Sequence, residues 1–364
     1  MSALRAPVAQ PSVRTPVRAH GGPDARGAAR WDFSTNANAA GPCPAAEAAL
    51  RAVDVTRYPD PSYQRLRERL AAWHGVAPAR ILLAASASEF IQRVTGVGAR
   101  LAPGPVEVPE HAYGDYATAA QAHGRALCVS GQEGPRVGQR PTLRWCCDPS
   151  SPLGVEAPPP TDLSRCTTVL DAVYAPLRLH GRGAWAGAAR DAVFELISPN
   201  KALGLPGVRG AYAIAPREGS APGADWVEAL VAAEPSWPLG VHAVAMLESW
   251  VSDGAQHWLA RQRDTLRAWK AELLTLLNEV GAVVWPSVTP FVCAQLPAGV
   301  TAAALRERDI AVRDAGSFGL PGWVRLNALP PEALQALANA IDALRAPVSS
   351  SSSSPTPPLA KGNA

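Results

Sequence analysis

The sequence predicts an α/β protein in which a large domain, built on a mostly parallel β-sheet, precedes a smaller α+β domain. Three observations support this fold class. Short apolar segments alternate with amphipathic helical segments between about residues 60 and 215, as expected of parallel strands covered by helices. A long helical segment rich in Ala, Leu and Trp occupies about 220–280. Mixed strand and helix patterns then fill 281–345, which predicts the second domain.

The elements of the large domain follow from these two periodicities. SYQRLRERLAAWHG carries apolar residues at helical spacing and ends on glycine, so it predicts a helix over 62–75. The next predicted elements are, in order, strand 80–85, helix 88–101, strand 105–108, helix 113–124, strands ending near residues 130, 148 and 174, and strands over 192–198 and 208–215. Strands that alternate with helices in this way indicate a sheet covered on both faces.

The C-terminal part of the chain predicts a long helix and then the small domain. The helix is QHWLARQRDTLRAWKAELLTLLNEVG. Strands are predicted in AVVWP, FVCAQLP, IAVRD and WVRLNA, and helices in TAAALRERD and PEALQALANAIDALRA. Two tails are expected to be disordered, the basic, Pro-rich leader 1–30 and the Ser/Pro-rich segment 346–364, because low-complexity polar sequence buries too little apolar surface to order itself.

Composition argues against several classes of partner. The formal net charge is only +3 and the arginines are interspersed with acidic residues, so no nucleic-acid-binding stripe is expected. No apolar run reaches the ~20 residues of a membrane span, and the first residues lack the apolar region of a secretory signal. The six cysteines show no C-x-x-C spacing and are interpreted as small buried thiols. A cytoplasmic protein without a metal site is expected.

Lys201 is the first candidate for chemistry. The chain has 34 basic residues, yet its only lysines are Lys201, Lys270 and Lys361. Arginine supplies a charge but not a nucleophilic amine. Lys201 follows the predicted strand 192–198 by three residues, at the strand ends where open α/β sheets bind ligands. Lys270 and Lys361 are interpreted as surface lysines.

Other lysine chemistries find little support in the sequence. No P-loop, H-E-x-x-H or G-x-S-x-G motif is present. Ser198 and Lys201 match the S-x-x-K motif of penicillin-recognising enzymes, but the accompanying S-D-N and K-T-G motifs are missing.

A Schiff-base lysine agrees best with the neighbouring residues. Pyridoxal phosphate needs an amine for its aldehyde, an acid beside its pyridine nitrogen and donors for its phosphate. Asp171 ends the apolar strand in LDAVY, where a buried carboxylate needs a cation, and Tyr174 could hydrogen-bond the phenolic oxygen. Ser198, Arg209 and the turn 84–90 before a helix all suit a phosphate. Each of these residues alone is as readily structural, but together and in this order they favour the cofactor.

The same segments resemble the fold-type-I pyridoxal-phosphate enzymes of the class I/II aminotransferase group. The resemblance covers roughly residues 31–345 and is closest to histidinol-phosphate aminotransferases and L-threonine-O-3-phosphate decarboxylases. LDAVY is similar to the Asp-Glu-Ala-Tyr strand of the group, and SPNKALGLPGVRGAY to its Ser-x-x-Lys…Gly-x-Arg segment. Weaker matches are DFSTNANAAGPCP, RYPDPSYQRLRERLAAWHGV, ILLAASASEFI, HAYGDY, CDPSSPLG and GSFGLPGWVRLNA.

The resemblance implies a domain organisation and an assembly. A large domain over 46–235, with a mostly parallel seven-stranded sheet, would bind the cofactor. An N-terminal arm, 31–45, would precede it, and a long helix with the small α+β domain would occupy 236–345. The resemblance also implies a homodimer in which Tyr58 reaches the cofactor phosphate in the neighbouring subunit.

The resemblance further implies a role for each residue of the site. Three residues are predicted to be catalytic: Lys201 would hold the cofactor, Asp171 would keep the pyridine nitrogen protonated and Tyr174 would contact the phenolic oxygen. Tyr113 would stack on the ring, and Arg325 would bind the substrate α-carboxylate. The other predicted ligands are Ala87, Ser88, Ser151, Ser198 and Arg209 for the cofactor and Asn38 for the substrate. Ser151 stands where the group usually has an asparagine.

Two activities remain open from the sequence. One is an aminotransferase acting on a small amine or amino acid, with or without a phosphate group. The other is a decarboxylase of the threonine-phosphate type, serving cobalamin biosynthesis, which the opening HGG…DFSTN slightly favours. The two activities differ in which bond at the substrate carbon lies perpendicular to the cofactor ring. A non-catalytic, ligand-binding relative is disfavoured because Lys201, Asp171 and Arg325 are all present.

Overall fold

The computed structural model describes residues 20–131, 140–220 and 224–345. Its strands are β1 (Trp31–Asp32), β2 (Ile81–Ala84), β3 (Val106–Val108), β4 (Leu127–Val129), β5 (Leu143–Cys147), β6 (Thr167–Asp171), β7 (Phe194–Ile197), β8 (Ala211–Ile214), β9 (Val283–Val284), β10 (Phe291–Gln295), β11 (Ile310–Ala311), β12 (Arg313–Asp314) and β13 (Val324–Asn327). Its α-helices are α1 (Pro44–Arg51), α2 (Gln64–His74), α3 (Ala87–Leu101), α4 (Gly114–Ala122), α5 (Gly187–Asp191), α6 (Ala224–Ala232), α7 (Val241–Trp250), α8 (Asp253–Glu279), α9 (Ala302–Arg306) and α10 (Pro331–Arg345).

The large domain is built on one twisted sheet. Over the described residues this sheet has seven strands in the order β2-β8-β7-β6-β5-β3-β4. Strand β8 is antiparallel to both of its neighbours, and every other neighbouring pair is parallel. The four strands β2, β6, β7 and β8 are buried at every position. The predicted mostly parallel α/β sheet is therefore confirmed.

Helices cover both faces of this sheet, and adjacent strand residues point into different cores. Val169 packs with α3, α4 and α6, whereas Leu170 packs with α1, α2 and α7. This alternation is the period of a β-strand. Because both faces are covered, a ligand can approach the sheet only along its edges or at its strand ends.

Helix α8 joins the two domains. Ser252 caps its N-terminus by accepting a hydrogen bond from the amide of Ala255 at 3.3 Å. Leu266 packs in the core of the large domain, whereas Leu273 and Leu277 pack in the core of the small domain. Among the described residues, the small domain has the four-stranded antiparallel sheet β12-β13-β10-β9, and α8 and α10 pack in its core.

The segment IAVRD corrects a prediction of one strand. It forms two short strands in different sheets, because β11 pairs in parallel with β1 of the N-terminal arm while β12 pairs with β13. The two partners pair with different halves of the segment, one in parallel and one antiparallel, so the chain changes sheets at Val312. This switch places Arg313 directly opposite Arg325.

The end of the predicted leader is attached to the small domain. Arg306 donates to Asp24 at 2.9 Å, and Arg26 donates to Glu307 at 2.6 Å. The disorder predicted for 1–30 is thus not observed for residues 20–30. Residues 1–19 and the predicted C-terminal tail, 346–364, lie outside the described residues.

The burial of Lys270 corrects one more prediction. Lys270, interpreted from the sequence as a surface lysine, is only 4% exposed on the inward face of α8. Lys361 lies outside the described residues.

All six cysteines are free and at least partly buried. Across the described ranges, no helix combines the length and the apolar character needed to cross a bilayer.

Candidate active site

A cavity of about 540 Å³ opens where the carboxyl ends of β6 and β7 face the small domain. Its volume lies in the usual range of ~300–1,000 Å³ for small-molecule sites. Most of the predicted site residues line it: Ala87, Ser88, Tyr113, Ser151, Asp171, Tyr174, Ser198, Lys201, Arg209 and Arg325. The fold therefore assembles one site from segments that are far apart in the sequence.

Lys201 lies just after β7, with its backbone held on both sides. Its amide donates to the side-chain oxygen of Asn200 at 3.0 Å, and its carbonyl accepts from the amide of Asn38 at 2.8 Å. Its Nζ lies 5.5 Å from the centre of the Tyr174 ring. Burial lowers the pKa of Lys201 to about 8, although nearby Asp171 opposes this shift. About a tenth of the amine is therefore neutral, and hence nucleophilic, at pH 7, which is far more than for an exposed lysine.

Asp171 is held at the end of β6 by two donors. Its Oδ1 accepts from the amide of Val173 at 3.0 Å, and its Oδ2 accepts from the hydroxyl of Tyr116 at 2.6 Å. Burial raises the pKa of Asp171, while both hydrogen bonds act in the opposite direction. Tyr116 is fully buried and stacks on Trp145 with 4.4 Å between ring centroids. The carboxylate thus has a fixed orientation towards the cavity.

Sequence reasoning missed Tyr116. The available signal was its position in YGDY, three residues after Tyr113 and so on the same side of a helix. The Tyr113 and Tyr116 rings meet edge to face at 5.8 Å. Tyr113 is partly buried, and its hydroxyl lies 3.4 Å from the Oγ of Ser88.

One side of the cavity can receive a phosphate. Ala87 and Ser88 are the first two residues of α3, so their amides have no partner within the helix. The Oγ of Ser198 lies 3.1 Å from the carbonyl oxygen of Gly210. Arg209 is exposed at the cavity and, among the described residues, makes no hydrogen bond or ion pair. Helix amides, a hydroxyl and a guanidinium are suitable donors for a phosphate dianion.

Two arginines from the small domain face the same cavity. Arg313 and Arg325 are directly opposite each other in β12 and β13, and both guanidiniums lie beside the ring of Phe318, at 4.7 and 5.5 Å. Burial and the charge of Arg325 lower the pKa of Arg313. Arg313 also donates to the Oγ of Ser317 at 2.6 Å. Like charges at directly opposite positions repel, so the pair favours an anionic group at this end of the cavity. Sequence reasoning missed Arg313 because its position depends on the strand switch at Val312.

The N-terminal segment closes another part of the cavity. His20 lies 6.4 Å from the ring of Tyr113, and the amide of Gly22 donates to the Oγ of Ser34 at 2.8 Å. A Cβ on Gly21 would lie 2.2 Å from the carbonyl oxygen of Ser34, so this close approach requires glycine. The sequence predicts disorder for this segment, so only the structure shows that it lines the cavity.

Two predicted ligands lie elsewhere. Asn38 is 3% exposed, and its Nδ2 donates to the carbonyl oxygen of Ala202 at 3.1 Å, so it attaches the N-terminal arm to the lysine segment. Asn36, two residues earlier, lines the cavity instead, which corrects the assignment of Asn38 to the substrate. Tyr58 is 80% exposed and stacks on Trp237, outside this cavity. Its predicted role in a neighbouring subunit stays a prediction.

The residues of the cavity fit pyridoxal phosphate. Lys201 supplies an amine with a lowered pKa, Asp171 supplies the buried acid, and α3 supplies free amides. Both polar side-chain atoms of Asn36 and the Nε of Arg325 are buried without a hydrogen-bond partner among the described residues. Unsatisfied buried polar groups of this kind point to a polar ligand.

The family profile for "Aminotransferase class I and II" matches residues 139–341. The chain belongs to this aminotransferase family. It is a pyridoxal-phosphate-dependent transaminase with the fold-type-I architecture.

Several relatives of this aminotransferase resemble it over most of their length. The histidinol-phosphate aminotransferase of Ruegeria pomeroyi is 29% identical over 338 residues, which cover 86% of this chain and 90% of the relative. The histidinol-phosphate aminotransferase of Sinorhizobium meliloti, solved with pyridoxal-5'-phosphate, has a TM-score of 0.70 at 20% identity and covers 85% of this chain and 90% of its own. The L-threonine-O-3-phosphate decarboxylase of Porphyromonas gingivalis has a TM-score of 0.71 at 21% identity, and the match covers 85% of this chain and 98% of the decarboxylase chain.

Proposed function

We propose that this aminotransferase acts on a small amine that carries a phosphate group, with histidinol phosphate as the reference substrate. The observation that supports this most strongly is the pair of Arg313 and Arg325, opposed across β12 and β13 at the cavity. One arginine suffices to bind a carboxylate in two parallel hydrogen bonds. Two buried arginines in mutual repulsion are better matched by a phosphate dianion.

The large-domain residues would hold the cofactor and move protons. When bound, pyridoxal phosphate supplies the electron sink for the bond that breaks at the substrate carbon. Lys201 would bind the cofactor and transfer a proton at the substrate carbon, a role suited to its pKa of about 8. Asp171, oriented by Tyr116 and Val173, would hold a proton at the ring nitrogen. Tyr174 would donate a hydrogen bond to the phenolic oxygen.

The small-domain residues would bind and orient the substrate. Arg313 and Arg325 bind its anionic group, while Asn36 supplies a donor and an acceptor that have no partner in the described residues. Because the arginines belong to the small domain and Lys201 to the large one, a bound substrate connects the two domains. Such a connection favours closure over the cavity and the exclusion of water.

A decarboxylase that acts on a phosphorylated amino acid is the second candidate, and the position of His20 favours it. Such a substrate carries a carboxylate as well as a phosphate, so it needs more donors than histidinol phosphate does. His20 and Gly21 line the cavity on the side of Ser34, in addition to the two arginines. The opening HGG…DFSTN is also the part of the sequence that favours the decarboxylases.

One comparison separates these functions. The holoenzyme is supplied either with histidinol phosphate and 2-oxoglutarate or with O-phosphothreonine alone, and glutamate and CO2 are measured. Glutamate formation from histidinol phosphate supports the proposed aminotransferase, whereas CO2 from O-phosphothreonine supports the decarboxylase. Unphosphorylated histidinol, turned over as efficiently as its phosphate, would contradict both. Lys201→Ala serves as the inactive control.

A homodimer with Tyr58 at the neighbouring cavity is part of the proposal. Tyr58 stacks on Trp237 with 4.8 Å between ring centroids, yet the two are 80% and 47% exposed. Exposed neighbouring aromatic residues are typical of protein interfaces. Sedimentation equilibrium should give a dimer. Tyr58→Phe should weaken cofactor binding without dissociating the dimer. The cytoplasmic location stays a prediction from composition.

A further inference from the structure

A second cavity, of about 410 Å³, lies on the other side of the joint between the domains. It is formed by α8, by the segment 283–292 of the small domain and by His180 of the large domain, and it shares no lining residue with the active-site cavity. Its lining includes three basic residues, His180, Arg267 and Lys270, and no acidic residue. Neither the family nor the proposed activity accounts for it.

Lys270 is the most unusual residue of this cavity. It occupies the inward stripe of α8 together with Leu266, Leu273 and Leu277, where helical spacing calls for an apolar residue. Its Nζ donates to the carbonyl oxygen of Ser287, which is its only hydrogen bond among the described residues. An ammonium group has three donors, so it can accept further partners. Burial lowers the pKa of Lys270 to about 8.

The neighbouring cations add to the positive charge. Arg267 lies about one helical turn before Lys270, and its Nε donates to the carbonyl oxygen of Leu179 at 2.9 Å. Its carboxylate partner, Asp264, is 78% exposed and does not line the cavity. Burial, together with the charges of Lys270 and Arg267, lowers the pKa of His180. A buried cation without a counter-ion is costly, and an anion in the cavity would remove that cost.

The remaining walls are apolar. They are formed by Ala271, Leu274, Val284, Trp285, Pro286 and Val292, with Ser287 beside Lys270. Trp285 is 38% exposed and Leu274 is 37% exposed, so both present apolar surface at the opening. An inorganic ion would use the cations and leave these walls in contact with water. A ligand with one charged end and an apolar body would use both.

We propose that this cavity is a second binding site, which takes a small organic carboxylate with an aromatic or aliphatic body. The carboxylate binds Lys270 and Arg267, and the apolar body packs on Trp285 and Leu274. The site lies beside the segment that follows Tyr174, because Arg263 and Arg267 of α8 donate to the carbonyls of Pro176 and Leu179. A ligand here braces the joint between the domains without touching the active-site cavity.

The test uses the holoenzyme with two probes of nearly equal shape, phenylacetate and its neutral amide, phenylacetamide. Binding is measured by isothermal titration calorimetry in an Arg325→Ala background, which removes the main carboxylate ligand of the active site. Phenylacetate should bind at one site per chain, and Lys270→Met should weaken it about tenfold or more, as for the loss of a charged hydrogen bond. Arg261→Met is the matched control, because Arg261 is an exposed cation on the same helix that does not line the cavity.

The pH dependence supplies a second measurement. Affinity should fall as the pH rises through about 8, where Lys270 loses its proton. The other titratable or charged groups facing it are Arg267 on the same helix and His180 opposite, whose lowered pKa leaves it neutral near pH 8, and the walls from 283–292 contribute none. Lys270→Gln, which keeps a polar side chain, should weaken binding as Lys270→Met does and remove this inflection.

Four results would overturn the proposal. They are equal binding of phenylacetamide, unchanged binding in both Lys270 variants, binding to the holoenzyme with Arg325 intact that is lost in the Arg325→Ala background, and no binding of phenylacetate by either folded holoenzyme. Inorganic phosphate that binds at Lys270 while phenylacetate does not would assign the cavity to a bare anion and would also contradict it. Circular dichroism of each variant confirms that it is folded.

Discussion

At the scale of single residues, the orientation of Asp171 depends on Tyr116. The hydroxyl of Tyr116 donates to Asp171 at 2.6 Å, and this hydrogen bond lowers the pKa of the carboxyl. Tyr116→Phe keeps the ring on Trp145 but removes the donor. We expect turnover to fall about tenfold to a hundredfold, because a hydrogen bond to a charged group contributes about 1.5–3 kcal/mol. The apo-protein should also bind the cofactor more weakly, as measured by fluorescence titration.

The spectrum of the holoenzyme distinguishes this positioning role from a general loss of stability. The pKa of Asp171 should rise in Tyr116→Phe, so the pH profile of the visible absorbance should shift. The matched control is Tyr212→Phe, since Tyr212 is equally buried but its hydroxyl forms hydrogen bonds with His74 and Trp250 outside the cavity. An identical pH profile in wild type and Tyr116→Phe would rule out the role.

The lowered pKa of Lys201 predicts how the apo-protein takes up its cofactor. Only the neutral amine reacts with an aldehyde, and below a pKa of about 8 the neutral fraction falls tenfold per pH unit. The uptake rate should therefore rise from pH 6 to 8 and level off above, as followed by visible absorbance. Lys270 has a similar pKa of about 8 but lines another cavity, so it is an internal control: it should not react with the cofactor.

Borohydride reduction followed by peptide mapping identifies the lysine that reacts. The label should be found on Lys201 alone, and Lys201→Ala should be inactive but folded. A label on Lys270, or an uptake rate independent of pH across this range, would contradict the assignment.

At the scale of elements, the pairing of β12 with β13 brings together the two arginines of the proposed anion site. Arg313 and Arg325 are adjacent only because these strands are antiparallel in this register. Arg313→Lys should raise the KM for histidinol phosphate about tenfold, because lysine cannot reproduce the two parallel hydrogen bonds of arginine, and cofactor binding should be unchanged. Arg325→Lys should have an effect of the same size or larger, since Arg325 is only 7% exposed.

Steady-state kinetics with histidinol and with its phosphate measure this contribution. The KM for histidinol should be nearly the same in Arg313→Lys and in wild type, because that substrate lacks the dianion. Equal increases of KM for both substrates would mean that Arg313 acts on the structure of the cavity and not on the phosphate.

Secondary structure could be predicted well wherever an element is set by local pattern. The strand predicted over 192–198 is Phe194–Ile197, and the helix predicted over 88–101 is Ala87–Leu101. The error at IAVRD has a different origin, since nothing local indicates that Ile310 pairs with Trp31 while Arg313 pairs with Arg325. Pairing over long sequence distances depends on the whole fold.

At the scale of the whole molecule, the segment from His20 to Gly27 connects the domains. Asp24 pairs with Arg306 of the small domain, whereas His20 lies near Tyr113 of the large domain. Gly21→Ala places a Cβ 2.2 Å from the carbonyl oxygen of Ser34, so it should displace His20 from the cavity. We expect the KM for the phosphorylated substrate to rise severalfold. The melting temperature should change little, because the ion pairs of this segment are exposed and each contributes about 0–1 kcal/mol.

Gly254→Ala is the control for this substitution. Gly254 lies in α8, and a Cβ there meets nothing within 4 Å. Calorimetry gives the melting temperature and steady-state kinetics give the KM. A large loss of stability in Gly21→Ala, with KM unchanged, would show that the segment supports the fold and not the site.

The sequence by itself determined the cofactor chemistry. Asp171 ends a buried strand, Tyr174 and Lys201 follow buried strands within four residues, and parallel strands bring their carboxyl ends to one edge of the sheet. Local spacing is therefore enough to place these side chains together. The tertiary structure decided what lies around the cofactor. It placed Arg313 opposite Arg325, Asn36 and not Asn38 at the cavity, His20 beside the cavity, and Lys270 on the inward face of its helix. These positions depend on strand register and on which face of an element its neighbours cover, and both are set only when distant segments pack together.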